Sequence, residues 1–296
     1  RVQNMLFEGD DRFSYSDPKD KMSVSAFDIQ SWIEPAFHSG YLEVSVIGDI
    51  SKDEAVRVVG RTLGALPERQ ADKRNPRPSQ PVRIRVRPGI HRVEFVGEPH
   101  MALVTGTWPI QVEQSFDDEV ALYLLSNVLE NRVRQLLRED LGLAYSPSAS
   151  FTSRPEYPAF SVIRTTVDCA PEDTDTITRA IYDLCLDMAE NGVAPREYEL
   201  AARHMTERFT KGWDSNSTLL NLVLKRAQER PRSIEEASRL HLDPLGDTTI
   251  EDVNAWAARV LNPGNTRLFA VRPKPFVGIF QESEDGDATN VIGGRR

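Results

Sequence analysis

The spacing of apolar residues predicts a helix, a strand and a second helix within the first 69 residues. After Ser25, apolar side chains recur at helical spacing as far as Gly40. Residues 41–47 then alternate apolar and polar side chains, which is typical of a strand with two unlike faces. Residues 51–54, with the sequence SKDE, have the form of a capping box and open the second helix, which Gly64 ends.

The stretch 70–81 separates this segment from the rest of the chain. It holds three prolines, Pro76, Pro78 and Pro81, among charged and polar residues without apolar periodicity. Such a composition does not support a packed element and predicts an extended linker. We therefore place a domain boundary here, between residues 1–69 and residues 82–280.

Residues 82–280 predict a mixture of strands and helices, followed by a tail. The predicted strands cover residues 83–87, 91–96, 101–108, 145–151, 160–169 and 267–272. The fourth and fifth of these strands are expected to pair as a hairpin. The predicted helices cover residues 117–140, 171–191, 196–213, 217–229, 233–240 and 250–261. Residues 281–296 are acidic and then rich in glycine and arginine, which predicts a disordered tail.

A helix–glycine–strand unit occurs twice at one constant offset. The two members of each pair lie 224 positions apart: Asp28 and Asp252, Trp32 and Trp256, Gly40 and Gly264. Self-similarity at a fixed spacing indicates a duplicated unit, and a chance match in register is the alternative. With duplication, residues 1–69 are the last part of a repeat whose front is missing, and residues 82–280 form one complete repeat. We then expect the chain to be a fragment.

Charge and composition exclude some classes of function. The net charge of -9 is opposite to the basic surplus typical of proteins that bind nucleic acid. No apolar run approaches the roughly 20 residues of a membrane helix, and the opening residues show no secretory signal. We expect the chain to begin inside a longer polypeptide or after processing. Cys169 and Cys185 lack metal-site spacing and predict two small buried thiols, which leave the redox compartment open.

One near match to a zinc motif is present. Residues 204–208, HMTER, share H-x-x-E with the inverted zinc motif H-x-x-E-H, but Arg208 stands where the second histidine ligand is needed. A guanidinium carries only donors and cannot ligate zinc. We therefore interpret His204 and Glu207 as a solvated polar pair on one helix. The remaining histidines are isolated and predict surface or capping residues: His38, His91, His100 and His241.

Other catalytic constellations are absent from the sequence. No nucleophile elbow, P-loop or dinucleotide fingerprint occurs. Ser146, Ser148 and Ser150 are alike, and no histidine lies near them in sequence, so none stands out as a nucleophile. On residue chemistry alone, no complete active site is present.

The stretch 136–150, LLREDLGLAYSPSAS, has the pattern of a last helical turn, a glycine stop and the start of a strand. Gly142 stands where a helix that ends near Asp140 favours a left-handed residue. The turn brings Arg138 near Tyr145. Each residue has an ordinary interpretation, as a cation at a helix C-terminus and as a strand aromatic. Together, a guanidinium and a phenol suit a peptide carbonyl, because both donate hydrogen bonds that strengthen as charge develops on the oxygen.

The motif LRE-x-LG-x-AY, which holds Arg138 and Tyr145 seven positions apart, resembles the C-terminal half of the pitrilysin/insulinase-type zinc peptidases. The sequence VIGD at 46–49, LGALP at 63–67, the hairpin, and Glu197 after Pro195 extend the resemblance over nearly the whole chain. The resemblance implies an α+β fold of the metallopeptidase-repeat (LuxS-like) type, in which helices cover one face of an antiparallel sheet. It also implies one complete repeat plus the tail of a preceding one.

The resemblance further implies a division of labour between two halves that close around an unfolded peptide. The N-terminal half carries H-x-x-E-H and zinc, with the glutamate as general base, and the C-terminal half supplies an arginine and a tyrosine that correspond to Arg138 and Tyr145. The helix 117–140 holds no histidine where the catalytic repeat carries its zinc motif. We therefore expect this chain to bind no zinc and to be inactive alone.

The expected partners are an upstream zinc-bearing half, in the same or another polypeptide, and a peptide or unfolded protein as substrate. The expected compartment, the bacterial periplasm or cell envelope, rests on the resemblance only. Two functions stay open: the non-zinc half of a zinc endopeptidase, and a non-catalytic structural or chaperone-like relative. Retention of both Arg138 and Tyr145 favours the first, and an H-x-x-E-H motif upstream would decide between them. An unrelated α+β binding module would require the order of motifs to be a coincidence.

Overall fold

The computed structural model describes residues 1–15, 17–71, 81–97, 100–143, 146–153, 157, 159–211, 215–229 and 234–274. In this part of the chain five strands form one sheet in the order β1-β5-β2-β4-β3. The strands are β1 (Gly89–Phe95), β2 (Ala102–Ile110), β3 (Ser148–Ser153), β4 (Ser161–Cys169) and β5 (Arg267–Pro273). All neighbours are antiparallel except β1 and β5, which are parallel. The predicted α+β class and the β3–β4 hairpin are therefore confirmed, and one parallel pair is the departure from an antiparallel sheet.

Within the described residues every predicted helix forms close to its predicted position, and two short helices at 2–6 and 18–23 were not predicted. In chain order they are α1 (Val2–Leu6), α2 (Pro18–Ser23), α3 (Ala26–Ser39), α4 (Lys52–Arg61), α5 (Phe116–Arg134), α6 (Thr174–Asn191), α7 (Pro195–Lys211), α8 (Asn216–Thr218), α9 (Lys225–Glu229), α10 (Ile234–Leu242) and α11 (Ile250–Val260). Two π-helical turns extend this set, Gln135–Asp140 after α5 and Leu219–Leu224 between α8 and α9. No helix in these described ranges is long and apolar enough to cross a membrane.

Side-chain caps explain where three of these helices begin. Ser25, Ser115 and Thr249 each precede a helix and form a complete capping box with the aspartate three residues later. In each box the hydroxyl accepts from the aspartate amide and the carboxylate accepts from the cap amide, so two otherwise unpaired backbone donors are satisfied. The capping box predicted at residues 51–54 is only half formed: the Ser51 hydroxyl accepts from the Glu54 amide at 3.2 Å, but the Glu54 carboxylate pairs with Arg57 at 3.1 Å.

The main core lies between one face of the sheet and the helices. The apolar side of α5 is in this core, with Leu124, Leu125 and Leu129 fully buried. Trp108 of β2 is also fully buried, and its indole donates to the Thr266 hydroxyl at 2.9 Å. Because α5, α6, α7 and α11 all contribute to this one cluster, the predicted placement of helices on one face is confirmed.

The other face of the sheet carries a smaller aromatic cluster. Phe7 and Phe13 stack with ring centroids 4.4 Å apart, and both pack against Phe160. Val93 of β1 and Phe269 of β5 complete the sheet side of this cluster. Residues 1–15 therefore pack on the sheet that strands from the second part of the chain form.

Two predicted strands are wrong. Residues 41–47 and 83–87 lie outside any strand, although both alternate apolar and polar side chains. Alternation indicates a surface with two faces, but a strand forms only when its amides and carbonyls find a neighbouring strand. Within the described residues, 41–47 have no such neighbour, and Arg85 donates its amide to the Leu6 carbonyl at 2.9 Å.

Three predicted features fall outside the described residues. Most of the predicted linker, residues 72–80, and the predicted tail, residues 281–296, belong to them. So does the start of the predicted strand at Tyr145. These three stay predictions from the sequence.

The close approach at Gly106 gives a test of core packing. A Cβ added there would come 2.7 Å from the Thr165 hydroxyl and would also meet the Trp108 ring. We predict that Gly106→Ala lowers the free energy of unfolding by about 1–3 kcal/mol, the usual cost of overpacking a core. The measurement is urea unfolding. Gly60→Ala is the matched control, because no atom lies within 4 Å of that Cβ, and equal losses in both variants would contradict this view of the core.

Candidate functional site at the end of helix α5

The turn that carries Arg138 is a π-helical extension of α5. Residues 135–140 form this turn, and the Leu141 amide donates to the Leu136 carbonyl at 3.0 Å. Gly142 follows with a φ of 66°, the left-handed conformation that glycine adopts most easily. This lets the Leu143 amide turn back to the Leu137 carbonyl at 2.9 Å. Leu137 is fully buried, so the turn is anchored in the core.

Arg138 is exposed on this anchored turn. Among the described residues it has no hydrogen-bond or ion-pair partner. Glu139 and Asp140 beside it are exposed as well. Ala144 and Tyr145 lie outside the described residues, so the predicted pairing of Tyr145 with Arg138 stays a prediction.

The strand after the turn lies at one edge of the sheet. β3 pairs only with β4 in the described part of the chain, so its other side is an open edge. Its side chains alternate as predicted: Ala149 and Phe151 pack against the core, whereas Ser148 and Ser150 are exposed. In the sequence an exposed turn, whose Arg138 guanidinium has no partner in the described ranges, thus precedes a strand with an open edge.

A charged cluster on α5 fixes the helix just before this turn, and sequence reasoning did not find it. Arg132 is bidentate to Glu197 of α7, with both N–O distances at 2.7 Å. It also donates to Asp187 at 3.0 Å and to the Gly192 carbonyl at 3.2 Å. Glu197 was noticed only as part of the family resemblance. No local spacing signal could reveal its partner, because the two residues are 65 positions apart.

The Arg132–Glu197 pair changes the ionisation of both groups. Hydrogen bonds from the guanidinium lower the pKa of Glu197, although partial burial acts in the opposite direction. The same hydrogen bonds raise the pKa of Arg132. Because both groups stay charged and share two parallel bonds, the pair is the strong geometric form of an ion pair. It joins α5 to α7 and helps to hold the end of α5 in place.

The side chains of residues 204–208 on α7, the near match to a zinc motif, contact neighbouring side chains of the protein. Glu207 lies 3.6 Å from Lys211, and Arg208 donates to the Tyr123 hydroxyl at 2.9 Å. The predicted polar pair of His204 with Glu207 is therefore wrong, because the lysine one turn later competes for the carboxylate. In the described ranges no group of three or more His, Cys, Asp or Glu side chains is arranged to hold a metal ion.

The remaining histidines and cysteines show no catalytic arrangement. His241 was predicted to be a surface or a capping residue. It is only 4% exposed, so the surface alternative is wrong, but its Nδ1 is 2.9 Å from the carbonyl of Phe209 in the last turn of α7, which is a capping position. Both cysteines are free thiols, but only Cys185 is buried as predicted, whereas Cys169 is partly exposed. Burial raises the pKa of Cys169 to about 11 and raises that of the fully buried Cys185 further, so neither is an activated thiolate.

Comparison with known proteins identifies the family. Residues 23–205, more than half of the chain, match the family model described as the peptidase M16 inactive domain. No curated protein sequence matches the chain. The fold is similar to that of the periplasmic protease PqqL from Escherichia coli, with a TM-score of 0.73 and 19% identity over 92% of this chain and 30% of that chain.

Two other solved structures also have a fold similar to that of this chain. A peptidase M16 inactive domain from Pseudomonas fluorescens has a TM-score of 0.66 and 18% identity, over 92% of this chain and 64% of that chain. Pitrilysin has a TM-score of 0.57 and 15% identity, over 77% of this chain and 24% of that chain. This chain therefore spans less than two thirds of the length of each of these structures.

These matches define a class of protein, the peptidase M16 inactive domains. The chain belongs to the peptidase M16 family through this domain, which is a non-catalytic half of M16 proteases. The resemblance to the pitrilysin/insulinase-type peptidases is thus confirmed. At identities below 20%, the solved structures support the fold and do not assign roles to individual residues.

The ionisation of Glu197 gives a test of the cluster that holds α5. We predict that Glu197→Gln lowers the free energy of unfolding at pH 7 by about 1–2 kcal/mol, since a charge-assisted bidentate pair is lost. The folded pKa of Glu197 is below its unfolded value of about 4.3. The wild-type advantage is therefore fully present above the unfolded pKa and is lost as the pH falls through the folded pKa.

Urea unfolding at pH 7 and pH 3 measures this difference. Glu207→Gln is the control, because its carboxylate lies on the exposed face of α7 and its ion pair with Lys211 is long, at 3.6 Å. We expect the control to change stability by less than about 0.5 kcal/mol. A Glu197→Gln penalty that persists unchanged at pH 3 would show that the charge of Glu197 is not the cause.

Proposed function

We propose that this chain is the non-zinc half of a zinc endopeptidase and forms part of a chamber that binds an unfolded peptide. In this role Arg138 and Tyr145 position the backbone around the scissile bond, facing a zinc centre that another half supplies. Residues 1–69 are then the last part of a preceding repeat, residues 70–81 a linker, and residues 82–280 the complete repeat without zinc. Family membership supports the general role, and the exposed guanidinium of Arg138 is the observation that carries the specific one.

The local geometry suits Arg138 for binding a carbonyl oxygen. Arg132, six residues earlier, has carboxylate and carbonyl partners that hold its guanidinium in place. Arg138 has none among the described residues, although Leu137 beside it is fully buried and fixes the backbone. A cation held by a rigid backbone but without a partner of its own can donate to a peptide oxygen at little cost in reorganisation.

The open edge of β3 supplies a second surface of the right kind for a peptide. An extended peptide binds to an exposed strand edge through backbone hydrogen bonds, which are independent of side-chain sequence. β3 begins ten residues after Arg138 and carries small serines on its exposed face. This arrangement favours an unfolded polypeptide as ligand over a small molecule. PqqL, one of the similar structures, is itself a protease.

The metal of the proposed enzyme is assigned to the other half on the basis of the residues present here. The arginine at position 208 replaces a zinc ligand and donates to Tyr123, and α5 has no histidine. The described residues at these two places therefore do not supply the two histidines and one carboxylate that such a zinc site requires. Zinc would activate the attacking water in the partner half, whereas this chain would bind and orient the peptide.

The second candidate function is that of a non-catalytic structural or chaperone-like relative with the same fold. The description of the matching family as an inactive domain is compatible with it. The two functions differ in what the partner half carries, since only a peptidase needs H-x-x-E-H there. They also differ in whether loss of the Arg138 guanidinium changes turnover.

The main test is the variant Arg138→Ala, assayed together with the zinc-bearing half. We predict that peptide turnover falls by about one to three orders of magnitude, because one donor to the developing negative charge is removed. The free energy of unfolding should be unchanged, since Arg138 has no partner in the described structure. The measurement is the initial rate on an unfolded peptide, with urea unfolding in parallel.

Arg134→Ala is the matched control one turn earlier on the same helix. Its side chain is 41% exposed and pairs with Glu130 at 3.2 Å, so the variant removes a similar charge from nearly the same place. We expect its turnover to stay within about twofold of the wild type. Turnover at the wild-type level in a folded Arg138→Ala variant would remove Arg138 from the mechanism and favour the structural alternative.

A separate prediction concerns zinc. After dialysis, the 296-residue chain should retain far less than one equivalent of zinc by elemental analysis. The reason is that neither H-x-x-E stretch of the sequence, at 91–94 or at 204–207, is followed by the second histidine, since Phe95 and Arg208 stand there and neither side chain can ligate zinc. Stoichiometric zinc would contradict the assignment of the metal to the other half.

A further inference from the structure

A groove lies beside β1, at the edge of the sheet away from the candidate site. Its volume is about 880 Å³, and it is lined by α1, by residues 85–87 and by residues 91–94 of β1. In the described part of the chain β1 pairs only with β5, so the groove follows an open edge of the sheet. β3, the strand that follows the candidate site, lies at the opposite edge. The groove is therefore a separate surface feature.

The groove carries a surplus of positive charge, although the whole chain has a net charge of -9. The charged residues that line it are four arginines and two glutamates: Arg1, Arg85, Arg87, Arg92, Glu8 and Glu94. Arg92 pairs with Asp175 at 3.1 Å, and Arg1 donates to the Glu94 carbonyl. A cleft lined by charges of one sign attracts ions of the opposite sign. The groove therefore favours an anionic ligand.

Two of these arginines can take a carboxylate from elsewhere. Arg85 and Arg87 are exposed, and neither side chain has a hydrogen-bond or ion-pair partner among the described residues. Hydrogen bonds from Arg12 are the main cause of the lowered pKa of Asp10, and the charge of Arg85 adds to the effect. Arg12 holds both oxygens of that carboxylate, at 2.8 and 2.6 Å. Asp10 is thus already engaged and does not neutralise Arg85.

The chain leaves β5 at the rim of this groove and then becomes acidic. The Lys274 amide donates to the Phe95 carbonyl at 2.8 Å, and the Lys274 ammonium is 3.9 Å from the Glu94 carboxylate. Residues 275–296 lie outside the described residues. Their sequence places four acids within six positions: Glu282, Glu284, Asp285 and Asp287. We call residues 282–287 the acidic segment, and no lysine or arginine separates it from Lys274.

We propose that the acidic segment binds in this groove and that its carboxylates pair with Arg85 and Arg87. The length of chain allows it. Eight residue steps separate Lys274 from Glu282, and an extended chain of that length spans up to about 26–29 Å. The whole of β1 is only roughly 20 Å long, so the acidic segment can turn back along β1 and reach the groove. This proposal does not depend on a role for Arg138 or on zinc.

Covalent attachment favours the acidic segment of the same chain over an acidic peptide from another molecule. Exposed ion pairs are weak individually, so a few of them hold a free peptide only poorly. A short flexible linker gives the attached segment an effective concentration on the order of millimolar. An acidic peptide at micromolar concentration therefore competes poorly with the attached segment. While the acidic segment is bound, the groove is closed to other anionic ligands.

Cleavage by a glutamate-specific protease tests this contact in the 296-residue chain. Cleavage after Glu282 or Glu284 requires the acidic segment to leave the groove, so its rate follows the unbound fraction. We predict that Arg85→Gln/Arg87→Gln raises the cleavage rate at low salt by at least about threefold, because the attached segment is no longer held. Intact mass measures the rate. A free peptide with the sequence of residues 281–288, cleaved in the same buffers, corrects for effects of salt on the protease.

Arg61→Gln/Arg83→Gln is the matched control. Both arginines are exposed and neither lines the groove, so this variant loses the same charge as Arg85→Gln/Arg87→Gln at other places. We expect its cleavage rate to equal that of the wild type, and urea unfolding checks that both variants keep their fold. A salt series on the wild type needs no substitution. At about 1 M salt the Debye length falls to about 3 Å, and the wild type should then be cleaved as fast as Arg85→Gln/Arg87→Gln.

Three results would overturn the proposal. Equal cleavage rates for the wild type and Arg85→Gln/Arg87→Gln, at low and at high salt, would show that the acidic segment does not bind to these arginines. Equal acceleration in the control variant would make net charge the cause and not the groove. Protection that rises with protein concentration would make a second copy the source of the bound segment. None of these results bears on Arg138, which is tested by turnover.

Discussion

Burial of α5 is the constraint on which the rest of this structure depends. The helix lies across one face of the sheet, and its apolar side forms the middle of a cluster that includes α6, α7 and α11. A capping box fixes its start, and the Arg132–Glu197 pair fixes it near its end. Because both ends are held, the π turn that follows and the exposed Arg138 have a defined position. The site is thus a consequence of core packing and not of a separate loop structure.

Local features of the fold could be predicted from the sequence, whereas non-local ones could not. Helix starts and the left-handed Gly142 need only neighbouring residues. Gly142 has the expected conformation, and Ser51 caps α4 as expected, but the box predicted there is only half formed, whereas complete boxes occur at Ser25, Ser115 and Thr249. Strand pairing depends on distant segments. For this reason the alternation of apolar and polar residues at 41–47 and 83–87 predicted strands that do not form, and the parallel pairing of β1 with β5 was not predicted. The Arg132–Glu197 pair was missed for the same reason.

For the candidate site, the sequence located the turn but not the environment of Arg138. The helix end, the glycine stop and the hairpin followed from residue pattern, and the family followed from the order of motifs. That Arg138 has no partner among the described residues could not be read from the pattern, because a partner from α7 was equally possible, as Arg132 shows. We take this exposed guanidinium, on a turn that the core anchors, as the feature that favours a role in binding.

The central claim is that this chain is one half of a peptidase and is inactive by itself. The most direct measurement is the rate of hydrolysis of an unfolded polypeptide by this chain alone, by the zinc-bearing half alone, and by an equimolar mixture of the two. The account predicts turnover in the mixture and almost none with either half alone. Full turnover by the zinc-bearing half without this chain, or by this chain without zinc, would contradict it.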